Sequence, residues 1–328
     1  MSGKKALITG VAGQDGAYLA QLLLEKGYEV YGTVKLSVPE KLWRLRELGI
    51  ESSVRLEIID SRDQESVNNM LKSIQPSEIY NLAAQSSVVV SWESPMETID
   101  ANGLSVVRLL EGIRHHAPQA KFFQAGSSEL FGQSHDGKKQ NESTPFHPRS
   151  PYALGKMLGN TATVMYRESF SIFGCSGILF SHDSPLRDPK FVTRKITDGV
   201  ARIKLGLADT LTLGNLDAKR DWGFAGDFVR AMWLMLQQDK ADDYVIATGE
   251  SHSVREFVTV AFEAAGIRDY EKYLRIDEQY RRAVELGNLT GDISKATKVL
   301  GWKPSVDFYG LVSMMVESDL QRLSSHAA

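Results

Sequence analysis

The sequence predicts an α/β protein: a doubly wound parallel sheet followed by a smaller, mixed α/β C-terminal lobe. Three observations carry that expectation. Short apolar runs alternate with helical stretches through the first half of the chain, the pattern of strand–helix–strand crossovers. A glycine-rich turn joins the first run to the first helix. Small and polar residues gather just past the ends of several runs, where an open parallel sheet receives its ligands.

Ala6-Leu7-Ile8-Thr9 reads as a short buried strand, running into Gly10-Val11-Ala12-Gly13-Gln14-Asp15-Gly16 and then a helix over 17–26, closed by Gly27. The glycines permit a tight turn, and the helix N-terminus offers N–H groups and a positive dipole end to a pyrophosphate. A glycine turn framed by strand and helix marks a nucleotide-binding fold of the Rossmann type. Residues 29–34 form the second strand. An acid at its end would hold the ribose 2′-hydroxyl of NAD, a basic residue the 2′-phosphate of NADP. Lys35 stands there and no acid follows before Glu40, which favours NADP.

The third strand, 54–59, ends at Asp60-Ser61, and a helix spans 64–74. The fourth, 78–81, leads to Leu82-Ala83-Ala84-Gln85-Ser86, small residues over which a cofactor can lie close to the backbone. A long helix covers 100–116, with His115-His116 as its polar end. The fifth strand, 121–125, ends on Ser127-Ser128-Glu129, and a polar loop over 133–151 delivers the chain to a helix opened by Pro151. Tyr152 and Lys156 stand four apart on that helix and share a face. An ammonium beside the phenol is expected to lower its pKa and suit it to proton exchange with a sugar hydroxyl. Residues 174–180 read as a strand holding Cys175 as a small core residue; a helix follows over 228–238, and 254–300 is mixed.

At 328 residues the chain suggests two lobes: a cofactor-binding region over 1–180, with returning segments near 211–240, and a mainly substrate-binding region over 181–328. A net charge of −3 gives no electrostatic case for nucleic acid or an anionic membrane. One cysteine excludes an internal disulfide or a multi-Cys metal site, and no metal is expected. The longest apolar run, 231–236, is far short of the ~18 residues of a membrane span. The first strand begins too early for a signal peptide. A soluble, cytoplasmic protein is the expectation.

In this order, the glycine turn, Asp60, Leu82-Ala83-Ala84, the Ser127 stretch and Glu142, Pro145, Pro148 and Ser150-Pro151-Tyr152 resemble the extended short-chain dehydrogenase/reductases that modify nucleotide sugars. Within them the chain is similar to the GDP-mannose 4,6-dehydratases over essentially its whole length. The specific stretches include Ile79 to Ser86, Ser184-Pro185-Leu186-Arg187, Phe191 to Ile196, Lys219-Arg220-Asp221-Trp222 and Gly301-Trp302-Lys303-Pro304. The resemblance implies hydride transfer from C4 of a GDP-linked sugar to NADP, elimination of water across C5 and C6, and hydride return at C6. It implies that Tyr152 removes the O4 proton, Ser127 hydrogen-bonds O4, Glu129 serves C5 and C6, and Lys156 holds the nicotinamide ribose. Cofactor contacts would come from Gly10, Gly13, Gln14, Asp15, Gly16, Lys35, Asp60, Ser61, Leu82, Ala83, Ala84, Ser86, Tyr152, Lys156, His182 and Arg187. The GDP-sugar would meet Ser86, Ser128, Glu129, Ser181, Val192, Lys195, Leu213, Gly214, Arg220, Arg282 and Glu285. A homodimer or homotetramer is implied.

Four stretches depart from the family pattern. Lys35-Leu36-Ser37-Val38-Pro39 replaces an arginine pair with serines that grips the NADP phosphate and helps to build a tetramer. Ser181 and Asp183 replace asparagine and glutamate, Asp188 replaces glycine, and Arg282-Ala283-Val284-Glu285 keeps only the ends of its motif. A GDP-linked manno-heptose is therefore an alternative substrate. A reductase or epimerase of the same fold would need Tyr152 and Lys156 but no C5 base, so Glu129 argues against it. A dinucleotide sensor without chemistry could discard the tyrosine that this chain keeps.

Overall fold

A computed structural model describes residues 3–35, 42–132, 138–277, 279 and 287–327. The chain opens with β1 (Lys5–Thr9), α1 (Gln14–Glu25), β2 (Glu29–Val34), α2 (Trp43–Glu47), β3 (Arg55–Ile58), α3 (Gln64–Ile74) and β4 (Glu78–Asn81). There follow α4 (Val88–Glu93), α5 (Pro95–Ile99), α6 (Ser105–His116), β5 (Lys121–Ala125), α7 (Pro151–Phe170), β6 (Gly174–Leu179) and β7 (Ser181–Asp183). The remainder is α8 (Val192–Lys204), β8 (Leu211–Leu213), β9 (Lys219–Arg220), β10 (Trp222–Phe224), α9 (Ala225–Leu236) and β11 (Tyr244–Ile246), then β12 (His252–Ser253), α10 (Val254–Ala264), β13 (Leu274–Ile276), α11 (Ser294–Leu300) and α12 (Phe308–Ala327).

Seven strands pair in parallel in the order β11-β6-β5-β4-β1-β2-β3. The central strands are covered on both faces, as in the buried run Ala6-Leu7-Ile8 of β1, whereas edge strand β3 is half-exposed. On one face, Leu19 and Leu23 of α1 pack with Phe228 and Met232 of α9 and with Trp302. On the other, Leu71 of α3, Leu110 of α6 and Ala162 of α7 close the core. A separate apolar cluster joins α8, α10 and α12 through Val200, Phe257 and Met315, with Leu211, Leu213 and Trp222. The pairs β7–β10, β8–β13 and β9–β12 lie in short two-stranded sheets beyond the main one. The order of connection reverses between β1 and β4, so the crevice past their carboxyl ends is where an open sheet binds ligands. Among the described residues no helix is long and apolar enough to cross a membrane.

Several elements differ from the sequence-based expectation: α9 begins at Ala225 rather than 228, and α2, α4, α5, α8 and α12 are unexpected. Helix α1 starts at Gln14, because Gly13 is its cap and accepts the Ala17 N–H at 3.0 Å. The first turn of the 100–116 helix is a π turn over Asp100–Leu104. An unexpected strand, β11, extends the sheet beside β6.

Candidate active site

The turn after β1 needs its glycines for two separate reasons. Gly10 has φ +71°, and a Cβ on it would lie 2.9 Å from Ala83 Cα. A Cβ on Gly16 would lie 2.5 Å from the Gly10 carbonyl oxygen. Gly13 caps α1 with no side-chain hydrogen bond, leaving first-turn N–H groups facing the crevice past β1 and β4. On the far side of that crevice, Asn102 of the π turn holds the Gln85 backbone twice: Nδ2 donates to Gln85 O at 2.9 Å and Oδ1 accepts Gln85 N–H at 2.8 Å. Leu82, Ala83, Ala84 and the exposed Ser86 belong to this braced segment. Asn102 carries no sequence signal of that role, since its partner lies 17 residues away.

Helix α1 is tied to β7 by its first two side chains. Asp15 Oδ2 lies 2.8 Å from His182 Nε2, whose Nδ1 lies 2.7 Å from Phe180 O, and the imidazole stacks on Phe228 at 4.4 Å. Gln14 donates to His182 O at 3.2 Å and accepts from Ser184 Oγ at 2.8 Å. Burial opposes charge on both partners, but the imidazole outweighs it at Asp15, which is lowered to about 2. Burial likewise disfavours the imidazolium, and Asp15 reverses this, raising the His182 pKa. Arg187 follows, with Nε 2.9 Å from Asp183 Oδ1 and its guanidinium 3.7 Å above the Phe191 ring. Asp183, at a family-departing position, also accepts Thr193 Oγ1–H at 2.9 Å. Arg44 of α2, which sequence reasoning missed, donates to Leu186 O at 2.7 Å and Ala12 O at 3.1 Å, pinning this segment to the glycine turn.

Ser127 follows β5 and caps a 3-10 turn over Ser128–Phe131, its Oγ accepting the Glu129 N–H at 3.2 Å. Ser150 caps α7 by accepting Ala153 N–H at 3.1 Å, with Pro151 in the first turn. These two caps bring Ser127 close to Tyr152, whose phenol feels both the serine hydroxyl and the charge of Glu129. Lys156, 5% exposed, has its Nζ 6.0 Å from the Tyr152 ring centroid and donates to Ala125 O at 2.8 Å. The expected lowering of the tyrosine pKa does not hold in this arrangement. Enclosure of the phenol dominates, the Ser127 hydroxyl opposes it, Glu129 adds to it, and the value is pushed up to about 12. The ammonium meanwhile faces a backbone carbonyl, and burial brings Lys156 down to about 8 against a smaller opposing pull from Asp15.

The other predicted positions fall into two further groups. Lys35 is exposed at the end of β2, close enough to Asp60 to help lower its pKa. Arg62, also missed, dominates there: its Nε and Nη2 grip Asp60 at 3.0 and 2.9 Å, bringing the carboxyl to about 2. Ser61 follows directly. Beyond the main sheet, Val192 and Lys195 stand in the first turn of α8, and burial lowers the Lys195 pKa against the pull of Asp277. Asp277 N–H bonds Leu213 O at 2.9 Å, so the acid whose charge Lys195 feels is tied to the end of β8, next to Gly214. Ser181 opens β7, paired with Trp222, and Arg220 lies in β9 opposite His252. Leu36 to Pro39, Arg282 and Glu285 lie outside the described residues.

The chain matches the GDP-mannose 4,6 dehydratase family over residues 7–315. It is 50% identical to GDP-mannose 4,6 dehydratase 2 of Arabidopsis thaliana, over 97% of this chain and 87% of that one. It is 44% identical to GDP-mannose 4,6-dehydratase of Yersinia enterocolitica, over 99% and 96% of the two chains. UDP-glucose 4-epimerase of Thermus thermophilus, solved in complex with NAD, superposes with a TM-score of 0.83 at 26% identity, covering 96% of this chain and 98% of the epimerase. Similarity of that extent, on a doubly wound sheet whose crevice gathers Ser127, Glu129, Tyr152 and Lys156, settles the family: this chain belongs to the GDP-mannose 4,6-dehydratases.

Proposed function

We propose that the protein converts GDP-mannose to GDP-4-keto-6-deoxy-mannose with a nicotinamide cofactor, NADP rather than NAD. The observation that carries the reading is Glu129 in the turn that Ser127 caps, its charge reaching the Tyr152 phenol, in a chain whose relatives bear the name of that reaction. The glycine turn fits a dinucleotide: added Cβ atoms at Gly10 and Gly16 would strike backbone, and the first turn of α1 presents uncapped N–H groups. When bound, such a cofactor supplies hydride acceptance at C4 of the sugar and hydride return at C6.

The residues of this chain perform the remaining work. Tyr152 takes the O4 proton while Ser127 hydrogen-bonds that oxygen. Lys156 holds the nicotinamide ribose, and its ammonium favours the phenolate as bound ligands draw it from the Ala125 carbonyl. Glu129 removes the C5 proton, made acidic by the 4-ketone, and passes a proton to the C6 hydroxyl as it leaves as water. Lys35, with Asp60 and Ser61 nearby, reads the adenosine end and its 2′-phosphate. Lys195, Leu213 and Gly214 hold the GDP end with Arg220, Arg282 and Glu285. In this reading residues 1–180, with α9 returning, bind the cofactor, and 181–328 mainly bind the sugar nucleotide.

Self-association belongs to the same reading. Exposed Val89 and Trp92 of α4, Met96 of α5, and Leu154 and Met165 of α7 stand on helices that pack side by side. A second copy of the chain would cover them. Incubation of the purified protein with NADP and either GDP-mannose or a GDP-manno-heptose, with products read by mass, tests the function. Loss of 18 mass units (one water) from GDP-mannose is expected. Conversion of the heptose alone would move the substrate, and no dehydration of either would reject the reading.

A further inference from the structure

A chain of buried hydrogen bonds crosses the sheet from the segment after β4 to the lysine of α7. Leu82 N–H and Ala83 N–H both donate to Thr9 Oγ1 at 3.1 Å. The Thr9 hydroxyl donates to Asn81 Oδ1 at 2.6 Å, and Asn81 Nδ2 donates to Gln124 Oε1 at 2.8 Å. Gln124 Nε2 then donates to Ala125 O at 3.1 Å, the same carbonyl that accepts from Lys156 Nζ at 2.8 Å. Thr9, Asn81 and Gln124 are each 5% exposed or less, at the carboxyl ends of adjacent strands β1, β4 and β5.

Packing alone would be served as well by apolar side chains, since a buried polar group without partners costs free energy. Every link here is satisfied, and satisfaction fixes its direction. Thr9 accepts two backbone N–H groups and so turns its own proton to Asn81. That sets the Asn81 amide, which sets the Gln124 amide, whose N–H must point at Ala125 O. Aligned bonds of this kind polarise one another. At the far end, Gln124 and Lys156 share one carbonyl oxygen.

We propose that Gln124 is a positioning residue for Lys156, holding the Ala125 carbonyl against which the ammonium is aimed and linking that aim to the cofactor segment at Leu82 and Ala83. This rests on the assignment of Lys156 to the ribose and to Tyr152. With Gln124 in place the carbonyl divides its acceptor strength between two donors. Without it the ammonium takes the carbonyl alone, is held more tightly there, and keeps its proton to higher pH.

The test uses Gln124→Leu in the full-length protein, with Ser176→Ala as a control that deletes a different buried bond, the one to Asn160. Gln124→Leu should lower kcat by about tenfold or more, with the KM for the sugar nucleotide within about threefold, and should move the alkaline limb of kcat/KM to higher pH. Ser176→Ala should leave that limb in place. An Asn81→Leu/Gln124→Leu double variant leaves no amide orphaned and should behave as Gln124→Leu does. Parent-like kcat and limb in Gln124→Leu, or limb movement in Ser176→Ala, would overturn the proposal. Failure of both Gln124 variants to fold would overturn it too, by assigning the residue to the core alone. Lys156→Met separates the two readings: if that variant stays active, the role of Lys156 is what fails.

Discussion

Replacing Lys156 by methionine should stabilise the fold at neutral pH while ending catalysis. A free lysine has a value of 10.5, and burial brings Lys156 to about 8. At about 1.4 kcal/mol per tenfold, the fold disfavours this ammonium by about 3 kcal/mol. Methionine fills nearly the same volume and forfeits the bond to Ala125 O, worth about 1 kcal/mol. The carbonyl keeps the Gln124 N–H at 3.1 Å, so no acceptor is orphaned. The expected net gain is about 2 kcal/mol near pH 7. Between about 8 and 10.5 the unfolded chain binds the proton that the folded chain releases, so this group's contribution to stability grows as pH rises through that window. It is fully present above the unfolded value and lost as pH falls through the folded one. Urea unfolding followed by tryptophan fluorescence, without added nucleotide, checks this at several pH values. The advantage of Lys156→Met should shrink toward zero as pH approaches about 10. A variant less stable than its parent at neutral pH, or a gap independent of pH, would refute the reasoning.

Three other outcomes follow from the same site. Glu129→Gln keeps the shape and loses the proton traffic, so 6-deoxy product should form at least about a hundredfold more slowly while GDP-sugar and cofactor still bind; near-parental turnover would remove Glu129 from the mechanism. The parent's kcat/KM should fall above about pH 8 as Lys156 loses its charge, and Asp15→Asn should move that limb lower, because Asp15 raises the lysine's value; an unmoved limb would assign it to another group. Lys35→Ala should weaken the preference for NADP over NAD, since an ammonium is the cation at the end of β2; undiminished discrimination would mean another residue reads the phosphate.

Much of this architecture was legible because local chemistry and tertiary role agree. Ala6-Leu7-Ile8 is apolar on both faces because both faces of β1 are covered, and Gly10 and Gly16 stand where a Cβ would strike backbone. Ser150 and Pro151 announce the start of α7 through a cap and a missing N–H. Features made by distant partners were not legible. The π turn carries Asn102, whose partner Gln85 lies in a distant loop, and β11 is three residues whose strand character comes from pairing with β6. The elevated Tyr152 pKa reflects enclosure, while spacing on a helix reports only its neighbour Lys156. Asn81 and Gln124 read as ordinary polar residues at strand ends until the register of β4 and β5 places them opposite each other.

The most direct measurement follows a single hydrogen. GDP-mannose deuterated at C4, supplied with the protein and a small catalytic amount of NADP, should yield a 6-deoxy-4-keto product carrying deuterium at C6, with no net build-up of NADPH. Stoichiometric NADPH, or a product with deuterium lost from the sugar, would contradict the internal hydride return on which the whole reading stands.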